Sequence, residues 1–348
     1  MRGVDLWRLL ALSALTQLAA CSVPLEDEAA SSSAPDDASL PVAEGCRAFA
    51  DVAGVRGIGG GLRSMSLPSG ETLWMAEALQ FDDGSEIRGG ALRTDTDAKL
   101  DSSCMSAATA DAAAMLTDAE PRDGVATSAG SWLYVARYEA DATQPFGQRL
   151  AGIGIATGDV TASAFSVPEA LLWTGDRPRF GSSAVVENEF LYTWGCQDAG
   201  FLRAECYLAR APIATASELS SYEYAKGGGF WTADIEEAWP LLVAGGEISM
   251  ARLDDSRVLL AYAEPLGETV VLRSGLSVQG PWSRAVRAAR CPKPDPGAFC
   301  GRIELHPELG ATRDEVVLSF ALGTFEPRTD PDAYLVRMVR VALPDELP

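Results

Sequence analysis

One pattern occurs five times along this chain, and it restricts the fold more than any other feature. A stretch of small residues or glycine leads into a short strand, a turn, and then an apolar, often aromatic strand. The second strands carry Thr72-Leu73-Trp74, Trp132-Leu133-Tyr134, Phe190-Leu191-Tyr192, Val258-Leu259-Leu260 and Val316-Val317-Leu318. Their spacing is about 57 to 68 residues, the length of a propeller blade. A third strand follows in several units, as in Ile153-Gly154-Ile155, Cys206-Tyr207-Leu208 and Val270-Val271-Leu272. Turn-bounded strands repeated at this interval predict an all-β chain, a five-bladed β-propeller over residues 46–348. A pair of β-sandwiches is the alternative architecture. One short helix is expected as well: Ser106 to Leu116 is alanine-rich, a composition of high helix propensity, and falls in the connection between the first two blades.

The start of the chain has a different character. Arg2 and Arg8 precede the apolar run Leu9 to Ala20, which is too short to span a bilayer, so residues 1–20 read as an export signal. Leu18-Ala19-Ala20-Cys21 resembles the lipobox of bacterial lipoproteins. That resemblance implies cleavage before Cys21, lipidation of its thiol and a membrane partner reached through the lipid. With Ser22 next, it implies the outer membrane of a bacterial cell envelope. An ordinary signal peptide with a chance cysteine is the alternative. Residues 21–45, rich in Ser, Ala, Pro, Asp and Glu, cannot bury enough apolar surface to offset their ordering entropy, and read as an acidic tether.

Forty-nine acidic side chains against 28 basic ones give a formal net charge of −21. A domain this acidic repels phosphate backbones and anionic lipid, so no nucleic-acid partner is expected. Apart from Cys21, the cysteines are Cys46, Cys104, Cys196, Cys206, Cys291 and Cys300. An even number in an exported chain suggests disulfides. Proximity favours Cys196–Cys206 and Cys291–Cys300, leaving Cys46–Cys104. The chain has a single histidine, His306, and no C-x-x-C spacing, so neither a metal site nor a cofactor is expected.

Gly246-Glu247-Ile248-Ser249, Val271-Leu272-Arg273-Ser274 with Gly280-Pro281-Trp282-Ser283, and His306-Pro307-Glu308-Leu309 together resemble the last two blades of an exported propeller family, domain of unknown function 4185. That family resembles five-bladed glycosidases such as glycoside hydrolase families 43 and 62, and the resemblance implies carboxylates on the inner strands at the channel rim. Glycosidases need two carboxyl groups facing one cavity. The repeat puts Glu247 at the rim of blade four, Glu304 and His306 on blade five, and Asp123 just before the first strand of blade two. Arg302 lies on the same face as Glu304 and is a candidate for binding. Trp231 and Trp239, on the connection between blades three and four, are candidates for stacking on sugar rings. Blade one departs from the family pattern: Gly57-Ile58-Gly59-Gly60-Gly61 carries no acid, and only Glu77, one position off, stands near the expected place. The gap favours a propeller that binds a glycan or an envelope protein without catalysis. The alternative is a glycoside hydrolase of cell-wall or environmental polysaccharide, possibly arabinan-like, using Glu247 and a second rim acid.

Overall fold

The computed structural model describes residues 40–343 apart from 43–44, 50–53, 95–98, 102–103, 107–112, 117–118, 145–146, 254–256, 266–268, 292–297, 310–313 and 325–334. The expected export signal, Cys21 and most of the expected tether lie outside the described residues.

Five antiparallel sheets follow one another along the chain. The first strand of each is Val55–Ser66, Glu120–Thr127, Arg179–Glu187, Ile248–Arg252 or Ala298–Leu305. Each packs against the first strands of the blades on either side, and the fifth returns to the first. The ring is therefore a five-bladed propeller. The second strands start at Thr72, Gly130, Phe190, Val258 and Glu315, at or within two residues of the spacing read from the sequence. The N-terminal strand Cys46–Arg47 pairs with Arg337–Met338 and becomes the outer strand of blade five. The first and last strands of the described residues thus share one sheet, which closes the ring by hydrogen bonds.

The core is divided into five apolar clusters, one between each pair of adjacent blades. Because side chains alternate along a strand, a blade covered on both faces must be apolar at successive positions. Val258–Ala263 shows the consequence, with every residue buried. Leu259, Ala261 and Ala263 pack towards blade five, while Val258, Leu260 and Tyr262 pack towards blade three. A fully buried leucine such as Leu260 contributes about 1.5–3 kcal/mol.

The alanine-rich connection differs from expectation. Cys104–Ser106 and Ala113–Ala114 are strands, the second paired with Gly90–Ala91 at the edge of blade one. Residues 107–112 of the expected helix lie outside the described residues, and the described helices are all three-residue 3-10 turns. An open sheet edge outweighs alanine's helix propensity, which is only a few tenths of a kcal/mol per residue.

Cys196–Cys206 and Cys291–Cys300 form disulfides. Cys46 is disulfide-bonded as well, and the side chain of Cys104 lies outside the described residues. Cys196 and Cys206 sit directly opposite each other on neighbouring strands of blade three. Replacing both by alanine is expected to cost about 2–3 kcal/mol, from loop-closure entropy returned to the unfolded chain. A urea titration of the oxidised double variant checks this.

A repeated irregularity matters most for the site. In blades one, two, three and five the ladder between first and second strands slips, leaving two residues on the first strand opposite one or none. The extra pairs are Gly60-Gly61, Arg122-Asp123, Gly181-Ser182 and Arg302-Ile303. Blade four does the same: Gly245 donates to the Ala263 carbonyl and Ile248 pairs with Tyr262, so Gly246-Glu247 is displaced. A bulge bends the strand and re-aims its side chains. All five bulges lie at the same height in the ring, and most of the charged residues of the channel mouth sit in them or just after.

Candidate functional site at the channel mouth

Arg63 is the centre of the mouth. It leaves the first strand of blade one two residues beyond the Gly60-Gly61 bulge and is 97% buried. Its Nη2 lies 3.0 Å from Glu247 Oε2 and 3.0 Å from Glu304 Oε1, joining blade one to blades four and five. Arg122 Nη2 donates to the other oxygen of Glu247 at 2.6 Å, which brings in blade two. Arg179 of blade three stands near Glu247 and makes a two-point pair with Asp198 at 2.7 and 3.0 Å. Arg302 pairs with Glu77 of blade one. Every blade therefore places a charge here.

The carboxyl groups have diverged in character. Burial by itself would raise Glu247, but Arg122, Arg63 and Arg179 together hold it at about 2. Glu304 is pushed up to about 7, first by burial and then by the negative charges of Asp123 and Glu247, against the pull of Arg63. Asp123 is also raised to about 7 by burial, although Arg63 and two backbone amides favour its charged form. Those amides are Gly124 N at 2.9 Å and Ala184 N at 2.6 Å, so Asp123 ties blade two to blade three. It lies within the strand Glu120–Thr127, at the bulge, and not ahead of the strand as the repeat suggested.

His306 follows the last residue of its strand and is fully buried. Its Nδ1 is 2.7 Å from Ser64 Oγ and its Nε2 is 2.7 Å from Ser319 Oγ. The Glu308 carboxylate lies 3.4 Å from Nδ1, too far for good hydrogen-bond geometry when Ser64 is closer. The ring also packs 5.2 Å from Trp74. His306 thus stitches blade five to blade one. Below the mouth, a channel cavity of about 360 Å³ is lined by Arg63, Ser64, Asp123, Glu304 and Glu308, among others.

Asp123, Glu247, Glu304 and Arg302 converge at the mouth, and His306 sits beside them. Trp231 and Trp239 do not. Trp231 belongs to a short outer strand of blade three, where Arg210 lies 4.0 Å over its ring and Gln279 accepts from its Nε1 at 3.3 Å. Trp239 is half-exposed beside Gly227 on the same outer edge. Sequence reasoning missed Arg63, Arg122 and Arg179. A usable signal existed: several inward carboxylates in a buried ring require cations, and Arg63 lies on the first strand of blade one as the repeat sets it, whereas Arg122 and Arg179 precede the strand starts that the repeat suggests. No group of acids, histidine and cysteines arranged to hold a metal occurs among the described residues.

The model of the family described as Domain of unknown function (DUF4185) matches residues 157–340, more than half of the chain. The chain belongs to the DUF4185 family. Among solved structures, this DUF4185 propeller is similar to a GH43_1 enzyme from Xanthomonas citri complexed with xylose, at 11% identity and a TM-score of 0.50 over 87% of this chain and 91% of that one. It is also similar to Zg3597, a family 117 glycoside hydrolase from Zobellia galactanivorans, at 9% identity and a TM-score of 0.47 over 80% and 82%. An endo-arabinase from Bacteroides thetaiotaomicron follows at 10% identity and a TM-score of 0.46 over 88% and 97%. At 11% identity the GH43_1 likeness establishes a shared fold and nothing finer. No curated protein matches the DUF4185 chain by sequence.

Proposed function

We propose that the propeller binds carbohydrate at the channel mouth without cleaving it. One observation carries this reading: both oxygens of Glu247 are held by buried guanidinium groups, and its pKa is about 2. An effective general base has a pKa near the working pH. Glu247 is a weak base with its lone pairs already engaged, and Asp123 is engaged by backbone amides. Glu304 alone combines a proton affinity suited to catalysis with a carboxyl group that no backbone amide holds, since Asp123, also raised to about 7, is tied by two, and one carboxyl group does not complete a glycosidase pair. Arg63, Asp123 and Glu304 line a cavity of ligand-binding size, and their fixed donors and acceptors suit a ring carrying several hydroxyls. The export signal and the Leu18-Ala19-Ala20-Cys21 motif support an outer-membrane lipoprotein, held through lipid on Cys21.

A glycoside hydrolase is the second reading, and one geometric fact favours it. Glu247 Oε2 and Glu304 Oε1 share Arg63 Nη2, so they are no more than about 6 Å apart, which spans the retaining separation of about 5–5.5 Å. Their proton affinities are pushed apart, as an acid and a nucleophile require. In this reading Glu304 protonates the leaving oxygen and Glu247 attacks the anomeric carbon.

Calorimetry and sugar-release assays on the full-length chain, with arabinan, xylan and peptidoglycan fragments, separate the two. Binding without release is expected. Release that disappears in Glu304→Gln would overturn the binding reading in favour of the hydrolase. Absence of both binding and release would overturn both. In the same preparations, Cys21→Ser should move the protein from the membrane to the soluble fraction, and retention at the membrane would remove the lipid anchor.

A further inference from the structure

Arg302 stands where a side chain is disfavoured. It is the first residue of the blade-five bulge, and its φ is +47°. The corresponding residues of blades one and three are Gly60 at +80° and Gly181 at +86°. Glycine takes this left-handed conformation freely, whereas a β-carbon is crowded by the neighbouring carbonyl. Such strain at one member of a repeat is a reason to look for function there.

The surroundings of Arg302 are built to accept it. A β-carbon on Gly61 would lie 3.3 Å from Nη1 of both Arg302 and Arg63, so the missing side chain leaves room for two guanidinium groups. Those nitrogens are less than about 7 Å apart, a distance at which like charges repel even with substantial screening. The effect on Arg302 is visible: burial, followed by the charge of Arg63, lowers its pKa to about 10. Arg63 is covered, whereas Arg302 is 34% exposed. Arg63 Nε is buried with no hydrogen-bond partner. Two further arginines, Arg122 and Arg179, stand across the mouth. Four arginines, Arg63, Arg122, Arg179 and Arg302, thus stand at the mouth among the carboxylates of Glu77, Asp123, Asp198, Glu247 and Glu304, and Glu77 is the only carboxylate paired to Arg302 among the described residues.

We infer that Arg302, backed by Arg63, is a carboxylate clamp, and that the saccharide taken at the mouth is an acidic one bearing uronic-acid residues. This rests on the carbohydrate-binding reading above and adds the ligand's charge. A guanidinium offers two parallel donors to a carboxylate, a match that a neutral sugar cannot make. In the complex the sugar carboxylate takes the place of Glu77 on Arg302.

The probe is trigalacturonate, with its fully methyl-esterified form as a neutral twin, titrated calorimetrically into the full-length chain. Trigalacturonate should bind at least about tenfold more tightly than the ester, with an advantage that shrinks as salt is added. Arg302→Gly relieves the left-handed strain and should bring the ratio of affinities close to one, while Arg302→Lys keeps part of it. Glu77→Gln removes the competing carboxylate and should raise trigalacturonate affinity several-fold. Equal affinity for acid and ester, or no gain in Glu77→Gln, would overturn the clamp and leave the carbohydrate reading intact. No binding of either trimer, nor of the neutral arabinan and xylan fragments, would overturn the underlying reading as well.

Discussion

Glu247→Gln is expected to destabilise the propeller by about 3–5 kcal/mol, the usual cost of removing one partner from a buried ion pair. Arg63 and Arg122 are 3% and 6% exposed, and each spends its Nη2 on this carboxylate. Without the negative charge, two buried guanidinium groups lie close together, with the Nε of each already lacking a partner. Glutamine keeps the volume but turns one accepting oxygen into a donor that faces another donor. Glu304 could offset part of the loss by ionising more fully beside Arg63, since its pKa of about 7 leaves it partly protonated at neutral pH. For a domain of this size the loss corresponds to a fall in Tm of roughly 5–8 °C. Differential scanning calorimetry measures it, with Glu236→Gln as the comparison. Glu236 pairs with Arg177 at the surface, where a bridge contributes about 0–1 kcal/mol. A loss in Glu247→Gln no larger than in Glu236→Gln would mean that Glu247 does not hold the mouth together.

The parts of this fold that follow from local pattern were legible in the sequence. Val258–Ala263 reads as a strand buried on both faces because period-two alternation serves two clusters at once. Cys196 and Cys206 read as a pair because they are close in sequence, and the structure sets them opposite each other on neighbouring strands. The five second strands set the repeat, and the repeat placed Glu247 and Glu304 in the ring. The bulges were not legible, because a bulge is a property of two paired strands and not of either one alone. Their displaced residues are as different as Gly60-Gly61 and Arg122-Asp123. Hence Asp123 was placed one step too early, and Arg63 and Arg122 were passed over. An arginine on an inner strand reads as a solvated charge until its carboxylate partners are known. Ala113–Ala114 failed for a related reason: intrinsic propensity gave way to a vacant sheet edge supplied by residues about 20 positions earlier.

Stability should fall, not rise, as the pH goes from 5 to 8. Glu304 and Asp123 both hold their protons more tightly in the folded protein than in the unfolded chain, each with a folded pKa of about 7 against ordinary values of 4.5 and 3.8. The stability they contribute is fully present below their ordinary values and is lost as the pH rises through about 7, because the folded state then has to charge two buried groups or keep them protonated at a cost. The two share Arg63 and repel each other once ionised, so their losses are not independent. A combined loss on the order of 4 kcal/mol between pH 5 and 8 is expected. Glu247 acts in the opposite direction and in a different window. With a folded pKa of about 2, its contribution is present above its ordinary 4.5 and disappears only as the pH falls through 2. Stability should therefore peak near pH 4–5, below the range usual for globular domains. Urea titrations from pH 4.5 to 8.5 test this, and Glu304→Gln should flatten the slope by about half because glutamine has no proton to lose. Flat or rising stability in the parent protein across that range would show that the mouth ionises as freely as a surface site. Glu304 would then lack the proton affinity that the hydrolase reading asks of its acid. A falling profile that Glu304→Gln leaves unchanged would instead assign the titration to Asp123, whose two backbone amides hold it away from any chemistry.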